Sequence, residues 1–351
     1  MKIFSFMQSK TPRCGLDLGS SWAKTVKVSS SGKTAVLDSF ARLPWTPKDL
    51  EGPSAQGLKV RTLWEHLGLK DKVVVSSMAG HAVIVKRVFF KSGPAKELQK
   101  NINKEARQYI PFDLEDVYLD YQVLGPGEKK ESVEVLLVAS KKKVVQELIS
   151  VMDHSGLSLG IVDVDAFALS NCFEFNYPEL VQEPVYLLDI GGRQSVFAIC
   201  LQGQPVFFRE ISFGGRQLTD IIARILDISR KEAETIKIQG PSSRDSMEKG
   251  EIPGEMAETI RSWSSEVKRL INFYQASASQ AKQAGHLFLS GGGSLFTGTD
   301  TILQDQLGIT TRHLDPWKNF KTSLNDFDAK YLDSVKPQFA VATGLALRGI
   351  I

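Results

Sequence analysis

Two stretches of this 351-residue chain share one design. GLDLGSSWAKTVKV begins at Gly15 and LLDIGGRQSVFAI begins at Leu187. Each is a short apolar run that carries one acid, breaks at a small-residue turn and resumes as a strand-like stretch. The copies lie roughly 170 residues apart, too far for a tandem repeat, so the chain is expected to fold as two duplicated lobes.

Such turns have a chemistry of their own. Glycine lacks a Cβ, so backbone N–H groups can face an anion at close range. In the first copy Gly19, Ser20 and Ser21 form the turn, and Lys24 on the returning strand adds a positive charge. Asp17 repels a phosphate, and its useful role there is to hold Mg²⁺, directly or through water. The second copy supplies Asp189, Gly191, Gly192 and Arg193. Two such turns facing each other would grip a triphosphate and its metal. A third element, LFLSGGGSLFTG, runs from a strand into Gly291, Gly292 and Gly293 ahead of a helix, and suits close approach to a flat ligand.

Composition narrows the class. Lysine and arginine total 43 against 40 acids, a net +3, which gives no reason to expect nucleic acid. Three widely spaced cysteines and five scattered histidines fit neither a disulfide framework nor a zinc site. Neither a membrane-spanning run nor a signal peptide is visible. Ile3, Phe4, Phe6 and Met7 are apolar residues at the N-terminus suited to touching a membrane or a partner.

Periodicity gives the coarse order. Residues 13–43 read as a three-strand meander, with a short helix near RTLWEHLG and strands at KVVVSSM and AVIVKRVFF. In AKELQKNINKEARQYI, Leu98, Ile102, Ala106, Tyr109 and Ile110 keep helical spacing up to Pro111. Residues 83–165 therefore read strand, helix, strand, strand, helix, strand, a small α/β module in which Gly156 caps the second helix. After the second acid-bearing turn, Leu218, Ile221, Ile222, Ile225 and Leu226 form one helical stripe, and SRKE at 229–232 is a capping box. A polar loop is expected over 240–254, and a long amphipathic helix over 255–283.

Three motif matches fail on context. GKT at 32–34 lacks the glycine a P-loop needs five residues earlier and precedes a strand. GLSLG at 156–160 follows a helix and precedes a strand, the reverse of a nucleophile elbow. GGGSLF lacks the last glycine of a dinucleotide fingerprint.

Taken together the chain resembles the superfamily of actin, the heat-shock chaperones and the sugar kinases. GLDLGSSWAK resembles its first phosphate motif, LLDIGGRQS its second and LSGGGSLFTG its adenosine motif, while IVDVDAFALSN and FAVATGLALRG resemble its two connecting helices. Within that superfamily, EARQYIPFDLEDVYLDYQVLG and VEVLLVASKKKVVQELISVMDHSGL resemble the PilM family, cytoplasmic actin-like components of type IV pilus assembly. The relatives usually have a proline where this chain has the Phe89-Phe90 pair.

The resemblance implies an α/β, actin-like ATPase fold of two duplicated lobes with an FtsA/PilM-type small α/β insert. It implies subdomains at 1–82, 83–160, 161–184, 185–220, 221–284, 285–337 and 338–351, with 83–160 as the insert. It implies ATP or ADP with Mg²⁺: Asp17 and Asp189 at the metal, and Ser20, Ser21, Lys24, Gly191 and Gly192 at the phosphates. Gly215 would start a helix near the nucleotide, Glu234 and Lys237 would meet the ribose or base, Gly291–Gly293 the adenosine and Phe296 the adenine. Asp165 occupies the slot where hydrolysing relatives keep a longer water-positioning residue, which implies binding with weak or no hydrolysis. The implied partners are the cytoplasmic N-terminal tail of a PilN-like inner-membrane protein, held near helix 95–110 and strand 83–90, the pilus assembly motor complex and self-association. The implied location is the cytoplasmic face of the inner membrane. Two rivals remain: an FtsA-like filament protein, whose relatives usually add a membrane helix after the point where this sequence ends, and a sugar-kinase-like phosphotransferase using Asp163 or Asp165.

Overall fold

Gly15 is the second residue of the first strand, and any side chain there would collide with the Ala342 carbonyl of the last helix. That contact sets the frame of the first lobe: a helix lies flat on the strand that carries Asp17. The computed structural model describes residues 13–31, 34–78, 82–127, 129–239, 251–277, 282–322 and 329–350. The apolar N-terminal residues Ile3, Phe4, Phe6 and Met7 lie outside them, as does 240–250 of the expected polar loop.

The chain begins with strands β1 (Cys14–Leu18), β2 (Trp22–Ser31) and β3 (Thr34–Pro44), helix α1 (Pro53–His66) and strand β4 (Val73–Met78). It continues through β5 (Val83–Lys91), α2 (Ala95–Glu105), β6 (Val117–Pro126), β7 (Ser132–Lys141), α3 (Lys142–Ser155), β8 (Ser158–Val164) and α4 (Asp165–Asn176). Then come β9 (Val185–Ile190), β10 (Ser195–Leu201), β11 (Gln204–Ile211), α5 (Gly215–Leu226), α6 (Arg230–Gln239) and α7 (Glu251–Ser277). The last elements are β12 (His286–Ser290), α8 (Thr299–Leu307), β13 (Thr310–His313), β14 (Lys321–Thr322), α9 (Ala329–Val335) and α10 (Ala340–Leu347).

The strand orders reveal a duplication. One sheet runs β14-β3-β2-β1-β4-β8 and another runs β11-β10-β9-β12-β13. In each, an antiparallel three-strand meander is extended by two parallel strands beyond the acid-bearing strand. α4 and α10 pack against each other between the sheets, close enough that a Cβ on Gly344 would overlap the Ala168 carbonyl. Small residues permit this crossing, as the small-residue composition of FAVATGLALRG anticipates.

The third sheet is β5-β7-β6, antiparallel throughout. α2 covers one face of it, with Leu98 and Ile102 buried against Val88, Phe90, Val135 and Leu137. The strand-and-helix order expected over 83–165 is present. Its last strand, β8, pairs with β4 in the six-stranded sheet, and α3 crosses α1 closely at Gly57, beside Val151 and His154.

Two boundaries differ from the periodicity. α2 stops at Glu105 and tightens into a 3₁₀ turn over Ala106–Gln108, six residues before Pro111. The tighter turn lets Ala106 and Ile110 bury against Val117 and Ala139. α7 begins at Glu251, inside the expected loop. The expected caps are present: Gly156 adopts φ 73° after α3, and Ser229 and Glu232 exchange hydrogen bonds ahead of α6.

Candidate functional site: the cleft between two acid-bearing hairpins

In the first hairpin Asp17 on β1 stands directly opposite Lys24 on β2 in the antiparallel register. The two side chains form an ion pair. The turn between them is held from outside by the Trp45 indole, whose N–H donates to the Gly19 carbonyl at 2.7 Å. Arg42 stacks over the Trp22 ring at 4.6 Å on the flank of the same hairpin, and donates to Gln338 of the preceding turn of α10.

In the second hairpin Asp189 on β9 lies beside Ser290 on the parallel strand β12, and the Ser290 hydroxyl donates to its carboxylate at 2.7 Å. The Gly191 and Gly192 carbonyls accept hydrogen bonds from the Gly215 and Arg216 N–H groups at 2.9 and 2.8 Å. The start of α5 is thereby tied to the turn. Ser77 on β4 plays a related part in the first lobe, donating to Asp165 at the start of α4.

The hairpins meet. The Arg193 N–H donates to the Ser20 hydroxyl at 3.2 Å, and a Cβ on Gly192 would run into the Ser20 and Ser21 hydroxyls. Lys24 is the electrostatic centre of this junction. Burial pulls its ammonium down, but Asp17, Asp189 and Asp165 together outweigh that and hold it above its ordinary value. Burial raises Asp189, opposed by Lys24 and the Ser290 hydrogen bond. Asp165 is pushed up to about 8 by burial and by the charges of Asp17, Asp189 and Glu210, with the Ser77 hydrogen bond acting the other way. Lys24 thus pairs directly with Asp17 and lies in the field of Asp189 from the other lobe, while Asp165 is held well above the ordinary carboxylate range.

The glycine strand end closes the same cleft. Gly291 adopts φ 79°, which only glycine enters without strain, and its position leaves no room for a Cβ beside the Ile190 carbonyl. Gly293 sits against Gly191 and Ile190, and Gly215 against Gly293. Lys237 reaches the same point from α6: its ammonium donates to the Gly215 carbonyl at 3.0 Å, Thr219 at 2.8 Å and Glu234 at 2.7 Å. Gly292 is exposed next to Gln338. Phe296 is half-buried against the second-lobe core and so has a packing role of its own.

The structure therefore brings Asp17, Ser20, Ser21, Lys24, Asp165, Asp189, Gly192 and Arg193 to one junction, and Gly215, Glu234, Lys237 and Gly293 to a second point. Asp163 is outside both. It is 1% exposed and pairs with Arg348 at 3.0 Å, which removes it as a general base for phosphotransfer. Ser77, Ser290, Glu210 and Thr219 were missed by sequence reasoning. For the two serines a signal existed: each is a hydroxyl closing an apolar run, in VVVSSM and HLFLS.

Comparison with known proteins follows the geometry. A profile of the family described as type IV pilus assembly protein PilM matches residues 15–350. The chain is similar to the solved structure of a PilM-PilN type IV pilus biogenesis complex, with 27% identity, a TM-score of 0.80, and 97% of this chain and 100% of that one covered. It is also similar to the ethanolamine utilization protein EutJ from Carboxydothermus hydrogenoformans, with 17% identity, a TM-score of 0.55, and 99% and 92% covered, a likeness of fold. The architecture is the actin-like fold, in two lobes with a third small sheet. Since the family profile spans nearly every described residue, the chain belongs to the type IV pilus assembly protein PilM family.

Proposed function

We propose that this chain is an ATP-binding scaffold of a type IV pilus assembly platform, working at the cytoplasmic face of the inner membrane. The observation that carries the nucleotide reading is the junction itself: glycine turns from two duplicated lobes touch at Ser20 and Gly192, with Lys24 between Asp17 and Asp189. In this reading Ser20, Ser21, Lys24 and the Gly191-Gly192-Arg193 turn hold the phosphates. Gly215, Glu234, Lys237 and Gly291–Gly293 line the nucleoside side, with Phe296 at its edge.

The acids fit a hydrated Mg²⁺. Among the described residues no three histidine, cysteine or acidic side chains stand together as a bare-ion ligand set. Asp17 pairs with the Lys24 ammonium and Asp189 lies in its field, an acidic setting that suits a metal carried in with its own waters and phosphates. Mg²⁺ would neutralise triphosphate charge. With nucleotide bound, Lys24 would leave Asp17 for a phosphate, and Asp17 and Asp189 would hold the metal. Asp165, protonated at neutral pH and engaged by Ser77, is a poor acceptor for a water proton, which supports weak or absent hydrolysis.

The partner reading rests on the likeness to the PilM-PilN complex. We infer that the small subdomain at 83–160 receives the cytoplasmic N-terminal tail of a PilN-like inner-membrane protein. A recess of about 480 Å³ lined by Ile84, Lys86, Arg107, Gln108, Tyr109, Ile110 and Pro111 lies where strand β5 meets the end of α2, and supports that region as the groove. Among the described residues no helix is long and apolar enough to cross a membrane, so attachment through such a partner suits the chain. Calorimetric titration tests both halves: ATP with Mg²⁺ should release heat with the wild type, and the tail peptide should bind more tightly when nucleotide is present. A titration with no heat from any adenine nucleotide overturns the cleft reading; no binding of the tail overturns the partner reading.

A further inference from the structure

The outer face of α2 carries a regular feature that neither the cleft nor the recess uses. Leu98, Ile102 and Ala106 recur every four residues and are buried on the small sheet. Lys96, Lys100 and Lys104 recur at the same interval, two residues out of step, so their row lies on the opposite side of the helix. All three are exposed, and among the described residues none forms an ion pair. Exposed Arg107, in the 3₁₀ turn after the helix and shared with the recess, continues the charge beyond the lysines. Of the acids of the helix, Glu97 stands three residues before Lys100 at the edge of the row, and Glu105 lies about a quarter-turn beyond Lys104. Like charges four residues apart weaken a helix, so the row is a local liability that stability alone does not explain.

We propose that this lysine row docks on the anionic headgroups of a phospholipid bilayer. The occupant follows from charge complementarity and from the shape of the face. The lysines stand on one straight, convex helix face, which suits a flat, diffuse sheet of negative charge. Lysine presents a point charge without the bidentate geometry that selects one carboxylate arrangement, so an acidic peptide is the less favoured partner. In one respect the inference rests on the proposed function: a partner tail that leaves the membrane would bring the recess beside Arg107, at the end of the same row, to the lipid surface.

The test needs no partner. The full chain is sedimented with vesicles of phosphatidylcholine alone and of phosphatidylcholine mixed with phosphatidylglycerol, at low and at high salt. Binding to the mixed vesicles only, lost in high salt, is expected. A variant combining Lys96→Gln, Lys100→Gln and Lys104→Gln should bind them roughly a hundred-fold more weakly, at about five-fold per lysine near an anionic surface. Its melting temperature, followed by circular dichroism, confirms that it is folded. A second variant with the same three lysines changed to Glu should show no binding. Wild type that ignores mixed vesicles, or a glutamine variant that binds them as well as wild type, overturns the proposal. Capture of a soluble polyglutamate peptide by wild type in place of vesicles assigns the row to an acidic protein surface and equally overturns it. Tail affinity is measured with free peptide, so that reading stands or falls separately.

Discussion

The backbone N–H of Arg193 donates to the hydroxyl of Ser20 at 3.2 Å, joining the turns of two hairpins from different sheets, 173 positions apart in the chain. Around this bond the two lobes present their turns to each other with little space between them. The proposed phosphate site lies at this joint, so occupancy and lobe angle are linked.

Lys24 is the group whose loss is expected to cost most. Lys24→Met leaves the buried Asp17 without its ion-pair partner and Asp189 without its neighbouring cation, and a broken buried pair destabilises by about 3–5 kcal/mol. Urea unfolding measures this. The double variant Lys24→Met with Asp17→Asn should be less destabilised than the sum of the two single changes, because each removes half of one interaction. Neither variant should bind ATP in calorimetry.

Asp165 should make stability pH-dependent. Its folded value of about 8 lies above the ordinary carboxylate value of 3.8, so the native state holds a proton that the unfolded state has released. Between those values the unfolded chain binds fewer protons, and stability falls as pH rises. Asp165→Asn removes that loss. The variant is expected to melt increasingly above wild type from pH 5 to pH 8, by up to a few kcal/mol, with the gain shrinking toward pH 4. Equal melting temperatures across that range would contradict the buried proton.

Gly344→Ala probes the crossing of the connecting helices. The new Cβ would overlap the Ala168 carbonyl, so α4 and α10 must separate. Overpacking at a backbone contact costs typically about 1–3 kcal/mol or more. Chemical denaturation should show that loss, and nucleotide affinity should fall with it because α4 begins at Asp165.

Thr219→Val tests the nucleoside side. The hydroxyl accepts from Lys237 and donates to Glu234, and valine keeps its shape but supplies neither bond. Nucleotide affinity is expected to fall by roughly ten-fold, one neutral or charge-assisted hydrogen bond's worth. Thr219→Ser should restore most of it.

At the recess, Arg107→Glu or Tyr109→Ala should weaken binding of the partner tail by about ten-fold or more, as for a residue at the centre of a small interface. ATP affinity, measured on the same samples, should not change.

Much of this architecture was legible in the sequence because it depends on short-range rules. A strand that carries an acid and ends at glycine reads the same at Asp17 and at Asp189, and the sequence places Lys24 on the returning strand, while its register opposite Asp17 comes from the strand pairing. Helical spacing gave the buried row of α2, and the capping box at Ser229 and Glu232 marked a helix start that the structure keeps. Only the tertiary structure decided which of these pieces meet. Ser77 and Ser290 end apolar runs, but only strand order places them beside carboxylates, and Asp163 and Asp165, two residues apart, have opposite surroundings because the strand-to-helix junction turns one toward Arg348 and the other toward the cleft. Burial and the sum of neighbouring charges govern Asp165 and Lys24, and both are properties of groups brought together from distant parts of the chain.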